Sequence, residues 1–265
     1  MGTGEWSLEE RGGILLARCS AIQEVPGVAH AFSTRMADGK NEFDMGSSRP
    51  RGKDLLERRK RFLQAAGLEG GTLFVMKQVH GAKLVRARGP QQGAEADGAV
   101  WLAEDSPAFV PSVRTADCVP MLLVDRMGRA AAAVHAGWRG TAARIAVRAV
   151  EALARLGIAP SKLEVALGPA ILSCCYEVGR EPWDRVLAAC GGFRAIGESA
   201  TRAGHFRLDL HAANREQLTR AGVDPGSIHT SGWCTCCRKD LFFSYRRDGE
   251  DAGRLMSSVG KAGHP

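Results

Sequence analysis

Short apolar runs broken by glycine- and turn-rich segments alternate along this chain with stretches in which apolar residues recur every three or four positions. Residues 14–17 and 29–33, split by the Pro26-Gly27 turn, read as strands, as do 72–77, 83–86, 99–101 and 109–113. Residues 119–124 (VPMLLV) and the returning run 129–134 (RAAAAV) flank Asp125-Arg126-Met127-Gly128 and predict an antiparallel hairpin. Helical spacing marks 54–66, ended by Gly67. It returns in the stripe Ile145, Ala149, Ala152, Leu153 and Leu156, with Arg144, Arg148, Glu151 and Arg155 opposite. Thr141 is the expected N-cap of that second helix and Gly157 its end. Further helices are predicted at 182–190 and 210–221, and strands at 163–167, 206–209, 242–245 and 255–259. Residues 1–13 are expected to form a loose N-terminal arm before a single domain over 14–265. The polar segment 36–53 is too long for a mere connector. The irregular succession of strands and helices predicts an α/β (α+β) protein with mixed sheets and helices packed outside.

Charge narrows the ligand class. The net charge of +7 favours anionic ligands such as phosphate, yet the basic residues are scattered and nucleic acid is not an expected partner. Only Arg58-Arg59-Lys60-Arg61 forms a run, and it falls on the expected solvated face of the 54–66 helix. No apolar stretch approaches the ~18 residues that would span a bilayer. The start, MGTGEWSLEERGG, has no basic region of a secretory signal, so a cytoplasmic setting without membrane contact is expected. In that compartment the eight cysteines are thiols or metal ligands rather than disulfides.

The hairpin carries the candidate chemistry. A loop centred between Arg126 and Met127 sets Val124 opposite Arg129 and Cys118 opposite His135. Opposed residues share a face with Cβ atoms roughly 4.5–5.5 Å apart, a separation that suits two ligands of one metal ion or a Cys–His catalytic pair. His80, in KQVHG, is a candidate third ligand. Two imidazoles and a thiolate are a zinc donor set that leaves one position open. From spacing alone the three residues read better as unrelated core positions, and the hairpin geometry brings the two readings level. Asp117 is a candidate for orienting a ligand or assisting proton transfer, and equally for a structural turn. Arg139, in HAGWRG, either holds an anion or solvates the surface. Pro120 suggests an edge or irregular strand position.

Cys234 and Cys237 form a C-x-x-C, and Cys174-Cys175 adds two thiols. A four-cysteine zinc site is conceivable, but adjacent cysteines chelate poorly and buried thiols are the better expectation. His30, His205, His211 and His229 have no matched partners at useful spacing and are expected to be structural. No P-loop, HExxH, G-x-S-x-G or dinucleotide fingerprint is present.

The segments KQVHG (77–81), ADG (96–98), TADCVPMLLVD (115–125), AAVHAGWRGT (132–141), LGPAILSCCYEVG (167–179), LDLHAANREQL (208–218) and FFSYRRDG (242–249) resemble the laccase-domain family, also known as the multicopper polyphenol oxidase or peptidoglycan editing factor family. The resemblance runs from about residue 32 to 260. It implies a layered α-β-β-α fold and one Zn²⁺ held by His80, Cys118 and His135. The implied activity is phosphorolysis of purine nucleosides (adenosine, inosine, guanosine, methylthioadenosine) together with deamination of adenosine. Purine nucleosides and phosphate would then be the partners, of a monomer or weak homodimer. FSTR (32–35) and ERR (57–59) also align and make Arg35 and Arg59 candidate phosphate or substrate contacts. The glycine-rich loop usual in the family is replaced here by MADGKNEFDMG. The names also imply two rivals: a Cys118–His135 amide hydrolase acting on cell-wall precursors, and a copper oxidase, with Cu the alternative metal.

Overall fold

A computed structural model describes residues 5–46, 53–105, 109–192, 197–199 and 202–263. Two six-stranded mixed sheets lie face to face. The first runs β1 (Trp6–Arg11), β2 (Ile14–Cys19), β3 (Val28–Ala37), β15 (Leu255–Lys261), β7 (Phe109–Thr115), β4 (Thr72–Val75). The second runs β14 (Ile228–Thr230), β10 (Leu163–Leu167), β8 (Val119–Asp125), β9 (Ala130–Ala136), β6 (Gly98–Leu102), β5 (Leu84–Arg86). A small third sheet joins β11 (Glu177–Val178), β13 (Phe206–Leu208) and β12 (Gly197–Ser199). Phe32, Trp101, Leu122, Val124, Ala131 and Ala133 share the core between the large sheets. Helix α2 (Lys53–Ala66) buries Phe62 and Ala66 with Ile14, Leu16 and Ala31 on the outer face of the first sheet. Helices α4 (Ile145–Ala154), α5 (Arg180–Ala189) and α6 (Leu210–Arg220) cover the outer face of the second. The layering is therefore α-β-β-α in a single domain. The short helices α3 (Trp138–Ala142) and α7 (Tyr245–Asp248) connect these layers, and α1 (Ser20–Gln23) joins β2 to β3 within the first sheet. No helix among the described residues is long and apolar enough to cross a membrane.

Strands β8 and β9 are buried on both faces, which explains their unbroken apolar sequences. Val119, Met121 and Leu123 point to the helices, and Leu122 and Val124 point to the other sheet. The hairpin register differs from the expected one by two residues. Pro120, not Cys118, pairs with His135, and Val124 pairs with Ala131. A shift of two preserves side-chain parity, so Cys118 and His135 still share the inter-sheet face, now as diagonal neighbours. Strand β8 is also an inner strand, flanked by β10 and β9, against the edge position expected from Pro120. The proline is accommodated because its partner His135 donates its amide to Asp97 on the far side. The carbonyl of Pro120 accepts from Gly168, just past the last β10–β8 pair.

Four local expectations fail for identifiable reasons. Residues 6–11 are not a loose arm, since β1 pairs along its whole length with β2. Thr141 is not an N-cap. It is buried within α3, its hydroxyl accepting from Asn214 at 3.0 Å, and α4 starts instead after Arg144 in the left-handed region. Residues 242–245 do not form a strand. Phe242 and Phe243 bury into a cluster with Leu241 and Leu255, and Ser244 caps α7 through the Arg247 amide. The basic run on α2 is not merely solvated, because Arg58 bonds the Glu42 carbonyl, Arg61 pairs with Asp38 and Arg59 reaches the Met45 carbonyl. Part of the 36–53 segment, residues 47–52, lies outside the described residues.

Candidate metal centre

His135 closes β9, Cys118 immediately precedes β8, and His80 lies in the loop between β4 and β5. Their potential ligand atoms all lie within 4.8 Å of one another, and the two imidazoles stand edge to face with centroids 4.9 Å apart. What unites them is Asp97, to which sequence reading gave no role. Extending the β6–β9 register (Gly98 pairs with Val134) by one step places Asp97 directly opposite His135. Its carbonyl accepts the His135 amide at 2.7 Å, and its carboxylate meets His135 Nδ1 at 2.8 Å. The same carboxylate accepts the backbone N–H groups of Val79 (3.2 Å), His80 (2.9 Å) and Gly81 (2.7 Å). One buried side chain thus holds the His80 loop, including the left-handed backbone of His80 at φ 58°, and fixes the His135 ring with Nε2 left for a ligand.

Two glycines let the parts approach. A Cβ on Gly137 would stand 2.9 Å from Cys118 Sγ and 3.3 Å from His80 Cδ2, and one on Gly140 would meet the Gly81 carbonyl at 2.9 Å. Burial alone would raise the Cys118 thiol, but the charge and hydrogen bond of His135, with help from His80, bring it down to about 6. Burial would likewise lower His135, yet the Cys118 charge and the Asp97 hydrogen bond raise it to about 9. Desolvation opposes ionisation of Asp97 too, and the His135 and backbone donors overcome it and hold the carboxyl below its ordinary value. Without a metal the trio thus holds a Cys118 thiolate against a protonated His135 with a carboxylate behind, and loss of the His135 proton on metal binding leaves a donor set that fits a single Zn²⁺.

The trio borders a cavity of roughly 760 Å³ whose walls include Trp138, Tyr176, Tyr245, Arg114, Arg246 and Arg254. Asp117 lines it as well, but its two oxygens accept from Thr235 Oγ1 and the Arg246 amide, both at 2.6 Å. Its carboxylate braces the wall, and the carboxylate in contact with His135 is that of Asp97. Arg35, Arg59 and Arg139 are not among the lining residues. Arg35 bonds the carbonyls of Asn41 and Lys239 and stacks on Phe243, while Arg139 stacks on Trp138. Arg59 stands behind the wall. Burial lowers its guanidinium, and Arg114 lowers it further. Burial and then Arg254 act on Arg114 in the same direction, with Asp44 as the opposing carboxylate. Of the lining cations Arg246 falls within the 242–249 motif, whereas Arg114 and Arg254 lie in none of the matched segments and carried no sequence signal.

Of the four histidines expected to be structural, three are buried and bonded to the framework, and His205 sits half-buried in a loop beside Arg202. His30 accepts the Cys19 amide, His211 bonds the Gly168 carbonyl and His229 pairs with Glu164. The cysteine expectation fails: Cys174, Cys175, Cys234 and Cys237 gather with sulfurs within 4.8 Å, and Cys174 and Cys237 are exposed rather than buried. Among the described residues these four and the His80 trio are the two groupings able to hold a metal ion.

A fold of paired sheets presenting at a basic, aromatic cavity a His–Cys–His trio that could hold a metal ion has a defined kindred. A family model described as "Multi-copper polyphenol oxidoreductase laccase" matches residues 29–262, and the chain belongs to that family. It is 36% identical over 241 residues to a purine nucleoside phosphorylase of Deinococcus radiodurans, covering 88% of this chain and 89% of that one. It is 33% identical over 262 residues to adenosine deaminase RL5 from an unknown prokaryotic organism, covering 93% and 98%. The crystal structure of YlmD from Geobacillus stearothermophilus superposes with a TM-score of 0.83 at 29% identity, over 96% of this chain and 98% of that one.

Proposed function

We propose that this protein is a zinc-dependent purine nucleoside phosphorylase that also deaminates adenosine, acting in the cytoplasm on free nucleosides and phosphate. The carrying observation is the convergence of His80, Cys118 and His135 beside a cavity that combines three aromatic rings with three arginines. Relatives named for both activities support the assignment. Zinc bound by the trio would supply Lewis acidity at the cavity wall. The aromatic rings of Trp138, Tyr176 and Tyr245 offer stacking faces for a purine. Arg114, Arg246 and Arg254 offer charge-assisted donors to phosphate, whose oxygen attacks C1′ as the bond to the purine nitrogen breaks. Asp97 keeps the His135 ring in one orientation throughout. Deamination exchanges water for ammonia at C6 in the same cavity.

The test incubates the pure protein with adenosine, with and without phosphate, before and after chelation and zinc repletion. Adenine formed only with phosphate, and inosine formed in both, are the expected products, lost on chelation and restored by zinc. Absence of adenine, inosine and hypoxanthine in every tube rejects the assignment. A multicopper centre is disfavoured, because about ten His and Cys ligands would be needed and the described residues group only two small sets.

One observation favours a second reading. Cys118, His135 and Asp97 also have the order of a nucleophile, base and orienting acid, which suits an amide hydrolase. That reading requires metal-free protein to be active and to lose activity stoichiometrically to a thiol alkylator.

A further inference from the structure

We propose that Cys174, Cys175, Cys234 and Cys237 bind a second zinc ion as a tetrathiolate centre that pins the Tyr176 and Arg246 side of the cavity. The assignment is independent of the reading given to the His80 trio.

The spacing carries it. Cys174 and Cys175 sulfurs are 3.9 Å apart, Cys174 and Cys237 3.7 Å, and Cys175 and Cys237 3.4 Å, with Cys234 within 4.8 Å of all three. Zinc–sulfur bonds of ~2.3 Å in a tetrahedron require sulfur–sulfur edges of about 3.8 Å. A disulfide system would draw the sulfurs into pairs, whereas these form a near-equilateral triangle with a fourth sulfur close by. Adjacent cysteines, discounted from the sequence, become compatible because Cys174 and Cys175 sit in a tight turn closed by the Cys175 and Tyr176 amides on the Leu172 carbonyl. Cys236 lies between two members of the group and is not one of them.

The surroundings suit a centre of net charge about −2. The Leu172 amide donates to Cys234 Sγ at 3.5 Å. Arg246 donates to the carbonyls of Cys175 and Glu177, and Arg247 to those of Thr235 and Cys236, placing two guanidiniums against the cysteine loops. Binding converts up to four thiols to thiolates and releases their protons to solvent.

The consequence reaches the cavity. Tyr176 follows Cys175 directly, Arg246 stacks on its ring at 5.3 Å, and Thr235 and the Arg246 amide hold Asp117. An ion clamping 172–176 to 234–237 therefore fixes one wall in place.

The decisive experiment measures zinc per chain by elemental analysis after expression with zinc under reducing conditions. It compares wild type, Cys118→Ser, Cys174→Ser/Cys237→Ser and Cys236→Ser. Cys118→Ser should retain one zinc, the double variant should hold one fewer than wild type, and Cys236→Ser should match wild type. Should the double variant fold poorly, cobalt titration of Cys118→Ser leaves the cluster intact. It should give the sulfur-to-cobalt charge-transfer band of a tetrathiolate, with a higher melting temperature for the loaded protein. No zinc in Cys118→Ser, a cobalt spectrum without that band, or intact-mass evidence of disulfides among the four overturns the proposal.

Discussion

Replacing Asp97 with Asn removes a charge while keeping shape, and it strikes the one group that serves both His80 and His135. In the wild type each carboxylate oxygen accepts two donors: Oδ1 takes His80 N and His135 Nδ1, and Oδ2 takes Val79 N and Gly81 N. An amide offers one acceptor oxygen, so its NH₂ faces either the Val79 and Gly81 N–H groups or the His80 N–H and His135 Nδ1, and His135 can accept there only as the tautomer that protonates Nε2. Bonds to a charged group contribute about 1.5–3 kcal/mol each, and stranded buried donors cost about 1–3 kcal/mol. Losing two such bonds with partial relaxation costs about 3 kcal/mol, or roughly 6–12 °C in melting temperature for a chain of this size. Zinc affinity should fall about 10–100-fold, the usual cost of losing the group behind a ligating histidine. Because the folded-state pKa of Asp97 is depressed, its stabilisation is complete above the unfolded value near 3.8 and disappears as pH falls below it. The difference between the two proteins should accordingly be full at neutral pH and shrink toward zero in strong acid. Thermal melts of metal-free protein and competitive zinc titrations supply both numbers. A variant that melts with the wild type and binds zinc equally well at pH 7 would refute the reasoning.

Gly137→Ala should cost about 1–3 kcal/mol of crowding and weaken zinc binding, because its methyl lands 2.9 Å from Cys118 Sγ while the backbone, at φ −76°, accepts alanine without strain. Unchanged zinc titration would dismiss this close approach. Arg114→Ala, if the cationic wall holds phosphate, should raise KM for phosphate at least tenfold with a smaller change for the nucleoside. Steady-state kinetics with each substrate varied decides it, and equal effects on both would count against the placement. His30 is buried with its pKa lowered to about 3, first by desolvation and then by Arg18. The unfolded chain therefore takes up a proton below about pH 6.5 that the folded one refuses. Stability should fall by about 1.4 kcal/mol per pH unit through that window. His30→Gln should flatten the profile, and parallel denaturation curves across pH for the two proteins would exclude this origin.

Much of the local structure was legible because it rests on neighbours in the chain. The paired apolar runs around Asp125-Arg126-Met127-Gly128 specify a hairpin, and strand parity alone sends Cys118 and His135 to a common face, even though the register is two residues from the expected one. The stripe from Ile145 likewise marked α4, whose start was misplaced because Arg144 adopts a left-handed turn that no periodicity reveals.

The remainder depends on pairings between segments far apart in sequence. Asp97 acquires its place behind His135 only when β6 docks beside β9, 38 residues away, and no local pattern encodes that choice of neighbour. Arg114, Arg246 and Arg254 become one cationic wall only after the first sheet and α7 meet at the cavity. Cys174-Cys175 looked unpromising against Cys234-Cys237 until the Ala170–Cys234 bridge brought the two loops together. Periodicity reports which face of an element is buried, because that is settled within a turn or a pleat. Which elements share that burial is a global packing outcome, and the site's charge and ligand geometry follow from it.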